Sequence, residues 1–307
     1  MATVYIPTLS GGEKLAACLD SLLVQTVECE VVVADNGPGE GARELLASYP
    51  EVTRVAFGRN LGFGPGLNRA IAQAGRGPII LLNDDAVADP SMVEAMLESA
   101  GSVETVAGVL LSSANPARID SAGVLVDQTA MGFDYLSGEP VSALVNAPSP
   151  AGPTGGAGLY SRTAFEAVGG FDERIFLYYE DADLALRIRA NGGSCQLAPD
   201  ARATHGYSET LGARSPEKYA RTGWSRGYLL RRYGVMRNPR LGCGALGREI
   251  ITCAGQILHE HTLAGAKGRL LGWRDARGLP TLMLEESATT PMSVRRAMEL
   301  RRRRHSV

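Results

Sequence analysis

Ile79-Ile80-Leu81-Leu82-Asn83-Asp84-Asp85 is the stretch on which the fold turns. A short apolar run rich in β-branched residues reads as a buried strand, covered on both faces. It ends on an amide and two carboxylates, so polar chemistry falls at the strand's carboxyl end. Three upstream runs have the same character: Val4–Ile6, Val31–Ala34 and Val52–Phe57. Helical patterns separate them. Leu15, Cys18, Leu19, Leu22 and Leu23 recur at helical spacing, and Leu45, Leu46 and Tyr49 do so less regularly. Leu67, Ala70, Ile71 and Ala74 form a third pattern, and Met92, Val93, Met96 and Leu97 a fourth. Strand–helix alternation of this kind predicts a doubly wound, mostly parallel α/β sheet. Ligands in such sheets sit beyond the carboxyl ends of the strands.

Outward from this half, the pattern changes. Residues 112–154 scatter Pro116, Pro140, Pro148, Pro150 and Pro153 among small residues, which predicts a hairpin and a mobile loop rather than another βα unit. A strand over Ala157–Tyr160, a short helix near Thr163–Val168 and a helix from Asp181 to Ala190 follow, the last closed by Gly192-Gly193. Cys195–Leu197 and Ala201–Thr204 read as strand. From Pro216 onward the chain is helical and Arg-rich. The expected division is an α/β domain with a ligand site at its sheet edge over 1–213 and a basic, mainly helical extension over 214–307.

The 307 residues are 45% hydrophobic and 21% charged, enough for a full core. No apolar run approaches the roughly 18 residues of a membrane span. No basic and apolar leader precedes Thr3-Val4-Tyr5-Ile6, so no secretion signal is visible and a cytoplasmic location is expected. Cysteines 18, 29, 195, 243 and 253 form no CxxC pair and suit free thiols in a reducing compartment. The net charge of -2 conceals an asymmetry. Residues 1–213 hold 12 Lys+Arg against 26 Asp+Glu, a net of -14, and residues 214–307 hold 19 against 7, a net of +12. The basic part either faces something anionic or is a solvated helical tail. No nucleic-acid-reading motif accompanies it, so nucleic acid is not an expected partner.

The candidate chemistry lies at the strand ends. Val33-Ala34-Asp35-Asn36-Gly37 puts a carboxylate at the ligand edge. Asp84 and Asp85 put two more there, which repel unless a cation or protons neutralise them. Mg²⁺ or Mn²⁺ would take oxygen ligands and bridge phosphate oxygens. The plainer alternative makes the pair a turn and the cap of the helix after Pro90. Asn60-Leu61-Gly62-Phe63-Gly64-Pro65-Gly66-Leu67-Asn68 imitates a dinucleotide fingerprint. Its third glycine is displaced by one position and it follows the third strand, so a glycine turn that lets a helix approach the sheet is the alternative. In Glu180-Asp181-Ala182-Asp183-Leu184, Asp183 can pair with Arg187 one turn on. Asp181 at the helix start could accept a proton as general base, or simply complement the helix dipole. His205 is either structural or a further metal ligand.

These stretches, taken in order with Gly155–Tyr160 and Gly169–Glu173, resemble the family 2 glycosyltransferases with a GT-A fold over roughly residues 3–210. That fold is a Rossmann-like mixed sheet, mostly parallel, here with a C-terminal helical extension. The likeness is to bacterial rhamnosyltransferases that build cell-wall linkers and surface polysaccharides. The resemblance implies a metal-dependent, inverting transfer, with Asp181 as catalytic base. Asp85 and His205 would hold Mg²⁺ or Mn²⁺, with Asp84 beside them. Pro7, Thr8, Asp35, Asn60, Gly62 and Asn68 would contact the donor nucleotide. The implied donor is dTDP-rhamnose, with UDP-galactofuranose or another UDP-hexose as the alternative. The implied acceptor is a glycan or lipid-linked glycan. The basic extension would meet an anionic membrane surface or form a homodimer contact. Asp84 stands where related rhamnosyltransferases usually carry proline, and His205 is followed by Gly-Tyr-Ser rather than further histidines; both departures bear on donor choice. Two other classes remain open, a nicotinamide oxidoreductase and a non-catalytic nucleotide-sugar-binding module.

Overall fold

Strand β1 (Ala2–Thr8) is buried along nearly its whole length, and parallel neighbours flank it on both sides. The computed structural model describes residues 1–206 and 215–303. The expected boundary at 213/214 and Arg304 therefore lie outside the described residues. After β1 come α1 (Glu13–Leu23), β2 (Cys29–Asp35), α2 (Gly41–Leu46), β3 (Thr53–Ala56), α3 (Phe63–Gln73) and β4 (Ile79–Leu82). Next are β5 (Ala86–Ala88), α4 (Met92–Ala100), β6 (Thr105–Ser112), β7 (Ile119–Ser121), β8 (Val124–Val126) and β9 (Gly132–Asp134). The sheet-bearing half closes with β10 (Ala157–Tyr160), α5 (Arg162–Ala167), α6 (Glu180–Ala190) and β11 (Cys195–His205). Helices α7 (Pro216–Arg232), α8 (Pro239–Glu260), α9 (Ala264–Asp275) and α10 (Val294–Arg303) follow.

The main sheet has the order β3-β2-β1-β4-β10-β6-β11-β5, with β7 paired to β6. β1 to β4 run parallel, β10 runs against both its neighbours, and β6 and β11 are again parallel. The sheet is mixed and mostly parallel, as expected. Its two faces are filled separately: Val4, Ile6, Leu15 and Leu19 pack on one, and Tyr5, Val32, Leu67 and Leu184 on the other. Strand β6 was not anticipated, yet all eight of its residues are buried. It follows α4 after a short turn, and Gly108 interrupts its apolar run. A side chain at Gly108 would collide with Met96 of α4 and the carbonyl of Ala201. Residues 112–154 contain more order than expected. The β8–β9 hairpin is tied back by Val124 N–H to Gly152 O and Ala151 N–H to Val124 O.

The C-terminal helices share a core with the sheet-bearing half: Tyr228, Leu229 and Leu230 of α7 pack with Val124, Val126, Ala182 and Leu186. Charged groups are buried there as well. Arg226, fully buried, pairs with Glu249 at 3.0 Å and donates to Ala130 O at 2.8 Å, while Arg269 meets the other oxygen of Glu249 at 2.6 Å. Arg248 reaches Asp127 at 2.5 Å. Part of the extension's positive charge is therefore consumed internally, and Arg237, Arg240, Lys267, Arg274, Arg277, Arg295 and Arg296 remain exposed. Helices α7 and α9 touch backbone to backbone, because Gly223 sits against Gly265, and Gly268 against Ala220 O.

Replacing Gly268 by Ala should destabilise the fold by about 1–3 kcal/mol, since a Cβ would overlap the carbonyl of Ala220. Gly244→Ala on α8, where a Cβ meets nothing, should instead stabilise by up to about 1 kcal/mol. Chemical denaturation of both variants checks the opposite signs.

Candidate active site

The carboxyl ends of β1 and β4, the start of α6 and the end of β11 surround one cleft of about 730 Å³. Pro7, Thr8, Asn60, Gly62, Asp84, Asp85, Asp181 and His205 all line it. Residues separated by up to about two hundred positions thus converge, as expected for ligand binding at the edge of an open α/β sheet.

Asp84 and Asp85 follow β4 directly. Neither caps α4, whose N-cap is Ser91 without a side-chain cap bond. Thr8 donates to Asp84 Oδ2 at 2.6 Å. Burial raises the Asp84 pKa, the Thr8 hydrogen bond opposes this, and the neighbouring Asp85 charge raises it further. Asp85 is 6% exposed, and its Oδ1 lies 3.1 Å from His205 Nε2. Its Oδ2 is buried without a hydrogen-bond partner. A buried carboxylate oxygen left unmatched is costly unless something occupies it, and a hard cation fits that requirement. Among the described residues no three acidic, His or Cys side chains form a complete metal cage. Asp85 and His205 could hold an ion only if it took its remaining ligands from elsewhere, and phosphate oxygens would serve.

His205 is clamped from both sides. Its Nδ1 lies 2.7 Å from Asp120 Oδ2 and its Nε2 3.1 Å from the Asn83 amide nitrogen. Burial alone would lower its pKa, but the hydrogen bonds and charges of Asp120 and Asp85 prevail and raise it to about 9. Asp120 was not foreseen. It sits on β7, inside the stretch taken for hairpin and loop, and only the pairing of β7 with β6 brings it to the histidine.

Asp181 begins α6, where Oδ1 accepts the N–H of Ala182 at 2.7 Å and Oδ2 that of Gly155 at 3.4 Å. Asp183 points the other way, fully buried and paired with Arg187 at 2.7 Å. Arg187 also donates to Val168 O and Gly170 O, so this pair braces the Gly169–Glu173 turn. Tyr178 and Tyr179, ahead of α6, both adopt left-handed φ angles of 71° and 68°. Such strain costs about 1–3 kcal/mol per residue and clusters at functional sites. No sequence signal announces it.

Asp35 and Asn68 lie outside the cleft lining. Asp35 is 1% exposed and paired with Arg54 at 2.6 Å, while its Oδ1 accepts Gly37 N–H. Asn68 exchanges two 2.9 Å bonds with the backbone of Phe171. The glycines of 60–68 serve close approach: a Cβ on Gly62 would meet Phe176, and one on Gly64 would meet Phe171. Asn36 holds the turn, accepting Leu61 N–H and donating to Gly62 O, both at 2.8 Å. The glycine turn is therefore packing and not a dinucleotide fingerprint.

Comparison with known proteins agrees with this geometry. The model of glycosyl transferase family 2 matches residues 3–168. An N-acetylglucosaminyl-diphospho-decaprenol L-rhamnosyltransferase of Mycobacterium tuberculosis is 30% identical over 236 residues, covering 68% of this chain and 77% of the relative. Among solved structures, the mannosyltransferase PcManGT from Pyrobaculum calidifontis, in complex with GDP-Man and Mn²⁺, superposes with a TM-score of 0.53 at 16% identity, covering 90% of this chain and 81% of that one. Residues 1–349 of S. aureus TarS give 0.51 at 13% identity, with 90% and 78% covered. Fold and cleft together define a glycosyltransferase of the GT-A class. The chain belongs to glycosyl transferase family 2 and resembles its bacterial rhamnosyltransferases.

Glu180, next to Asp181, was also missed. It lines the cleft at 7% exposure, and its Oε2 has no hydrogen-bond partner. Burial and the Asp181 charge raise its pKa from 4.5 to about 8. An acid whose pKa is raised by folding binds more protons folded than unfolded, so stability falls as pH climbs from 4.5 to about 8. Glu180→Gln should remove this loss. The variant should be more stable than the parent at pH 8, by several kcal/mol, and the gap should close near pH 4.5. Denaturant melts across that range check it.

Proposed function

We propose that this protein is a metal-dependent, inverting glycosyltransferase that moves rhamnose from dTDP-rhamnose to a hydroxyl of a lipid-linked, diphosphate-bearing glycan in cell-wall or surface polysaccharide synthesis. The observation that carries it is the convergence of Asp84, Asp85, Asp181 and His205 on one cleft, with a buried Asp85 oxygen left without a partner. The mycobacterial relative, named for rhamnosyl transfer to a diphospho-decaprenol acceptor, supports the choice of sugar and acceptor class. Asp84 in the place of a usual proline favours keeping a UDP-hexose as the second donor.

In this mechanism Asp85 and His205, its imidazole deprotonated, would hold Mg²⁺ or Mn²⁺, with Asp120 fixing the ring through Nδ1. When bound, the ion supplies positive charge to the departing diphosphate. Pro7, Thr8, Asn60, Gly62 and Asp84 wall the donor side, with Asp35 and Asn68 supporting that wall from outside the lining. Asp181 accepts the proton of the acceptor hydroxyl as its oxygen attacks the anomeric carbon. The bond from that carbon to the diphosphate oxygen breaks on the opposite face, which inverts the centre. Residues 1–213 would form the catalytic unit and 214–307 its accessory arm.

We further propose that the arm rests on an anionic membrane surface, where a lipid-linked acceptor is presented. Leu246, Ile250, Ile251, Ile257 and Leu258 on α8 and Leu270 and Leu271 on α9 are exposed, and Lys267, Arg274 and Arg277 lie near them in sequence. No described helix is long and apolar enough to cross a membrane, and an amphipathic surface can lie on one instead. A contact between copies of the chain is the competing use of this face.

Asp181→Asn should leave nucleotide-sugar binding nearly intact and reduce turnover about 100-fold or more, measured as sugar transfer across dTDP- and UDP-sugars. Retention of more than about a tenth of turnover removes Asp181 from the role of base. In flotation, the protein should rise with anionic vesicles at low salt and not at high salt, and Ile250→Glu/Leu270→Glu should rise less. A protein that ignores anionic vesicles but elutes as a dimer assigns the face to self-association.

A further inference from the structure

The chain has 31 Lys+Arg, of which only Lys14, Lys218 and Lys267 are lysines. Two of these three, Lys14 and Lys218, line the cleft, and among the described residues no arginine does. The remaining lining is strongly acidic, with seven carboxylates against the two lysines and His205. Such a wall repels any phosphorylated ligand, so each lysine matters to where an anion can lie. Lysine offers a compact ammonium on a flexible stem, suited to phosphate as a point charge.

The two lysines come from different elements and meet different neighbours. Lys14, at the start of α1, acts on the Asp84 charge, beside Thr8. That is the end assigned to the nucleotide diphosphate. Lys218 comes from α7, outside the residues matched by the family model. Its ammonium lies 6.0 Å from the ring centroid of Tyr178, which stands three residues before Asp181. Thr222, one turn further along α7, lines the same wall. An acceptor hydroxyl that gives its proton to Asp181 has to reach this same N-terminal end of α6.

Resting on the reading above, we infer that Lys218 forms an anion subsite on the acceptor side of the cleft and engages a phosphate carried by the acceptor. The helical arm then contributes to acceptor choice directly, through one charge in the cleft. A neutral glycan could enter the same cleft but would gain nothing from Lys218.

Steady-state kinetics with two acceptors test this in the full-length protein: geranyl diphosphate-linked N-acetylglucosamine and the neutral octyl N-acetylglucosaminide. Lys218→Ala should raise KM for the diphosphate acceptor roughly tenfold or more, the scale of one lost charge-assisted contact. KM for the neutral acceptor and for the nucleotide sugar should each move less than about twofold. Lys218→Arg should recover most of the loss, and Arg76→Ala, an exposed cation in the turn before β4, should behave as the parent. A parallel rise in nucleotide-sugar KM would assign Lys218 to the donor and overturn the inference. So would equal losses with both acceptors, or no loss at all. Should the parent transfer sugar to neither acceptor nor hydrolyse any nucleotide sugar, the functional reading fails separately. Calorimetric binding of the geranyl diphosphate compound to parent and Lys218→Ala then decides the subsite, with equal affinities overturning it.

Discussion

Two carboxylates on consecutive residues at the end of a buried strand are electrostatically unfavourable, and much of this molecule is arranged around them. Asp84 and Asp85 sit where the sheet excludes water on one side and the cleft opens on the other. Thr8 from β1 satisfies an oxygen of Asp84, and His205 from β11 meets an oxygen of Asp85. Asp120 in turn holds the other ring nitrogen of His205 and fixes its orientation. Even so, Asp85 Oδ2 is left without a partner. A buried carboxylate oxygen without a partner, in a cluster of three carboxylates around one histidine, suits a cation that arrives with an anionic ligand. Strand order enforces the arrangement, because β1, β4 and β11 deliver their carboxyl ends to the same edge.

Most of the parallel half was legible in the sequence because buried strands and their covering helices leave separate periodicities. The runs at Val4, Val31 and Ile79 became β1, β2 and β4, and the Leu15–Leu22 stripe is buried in α1. The central strand β6 was not legible, since its neighbours β10 and β11 come much later in the chain and no local pattern records such pairing. Asp120 and Lys218 were missed for the same reason: their placement depends on β7 pairing with β6 and on α7 returning to the cleft. The strain at Tyr178 and Tyr179 is a tertiary effect that neither residue's own preference suggests. Asp183 and Arg187 were readable as a pair because four-residue spacing on a helix fixes their contact.

The basic extension shows how composition can mislead about location. Its net charge suggests an exposed cationic arm, yet Arg226, Arg248 and Arg269 are spent in buried pairs with Asp127 and Glu249. Buried pairs of this kind contribute little net stability but cost several kcal/mol to break singly, so they fix geometry more than they add strength. Here they lock α7 and α8 onto the β8–β9 turn, while glycines seat α7 against α9. The consequence for function is that α7 presents Lys218 and Thr222 to the cleft from a braced helix.

The central claim is that Asp85 and His205 bind the donor through a shared divalent ion. Isothermal titration of dTDP-rhamnose and UDP-hexoses into the parent, Asp85→Asn and His205→Ala, each with and without Mn²⁺, tests it most directly. The account predicts that Mn²⁺ tightens donor binding by roughly tenfold or more in the parent and has little effect in either variant. Equal donor affinity in the parent with Mn²⁺ and after exhaustive chelation would contradict it.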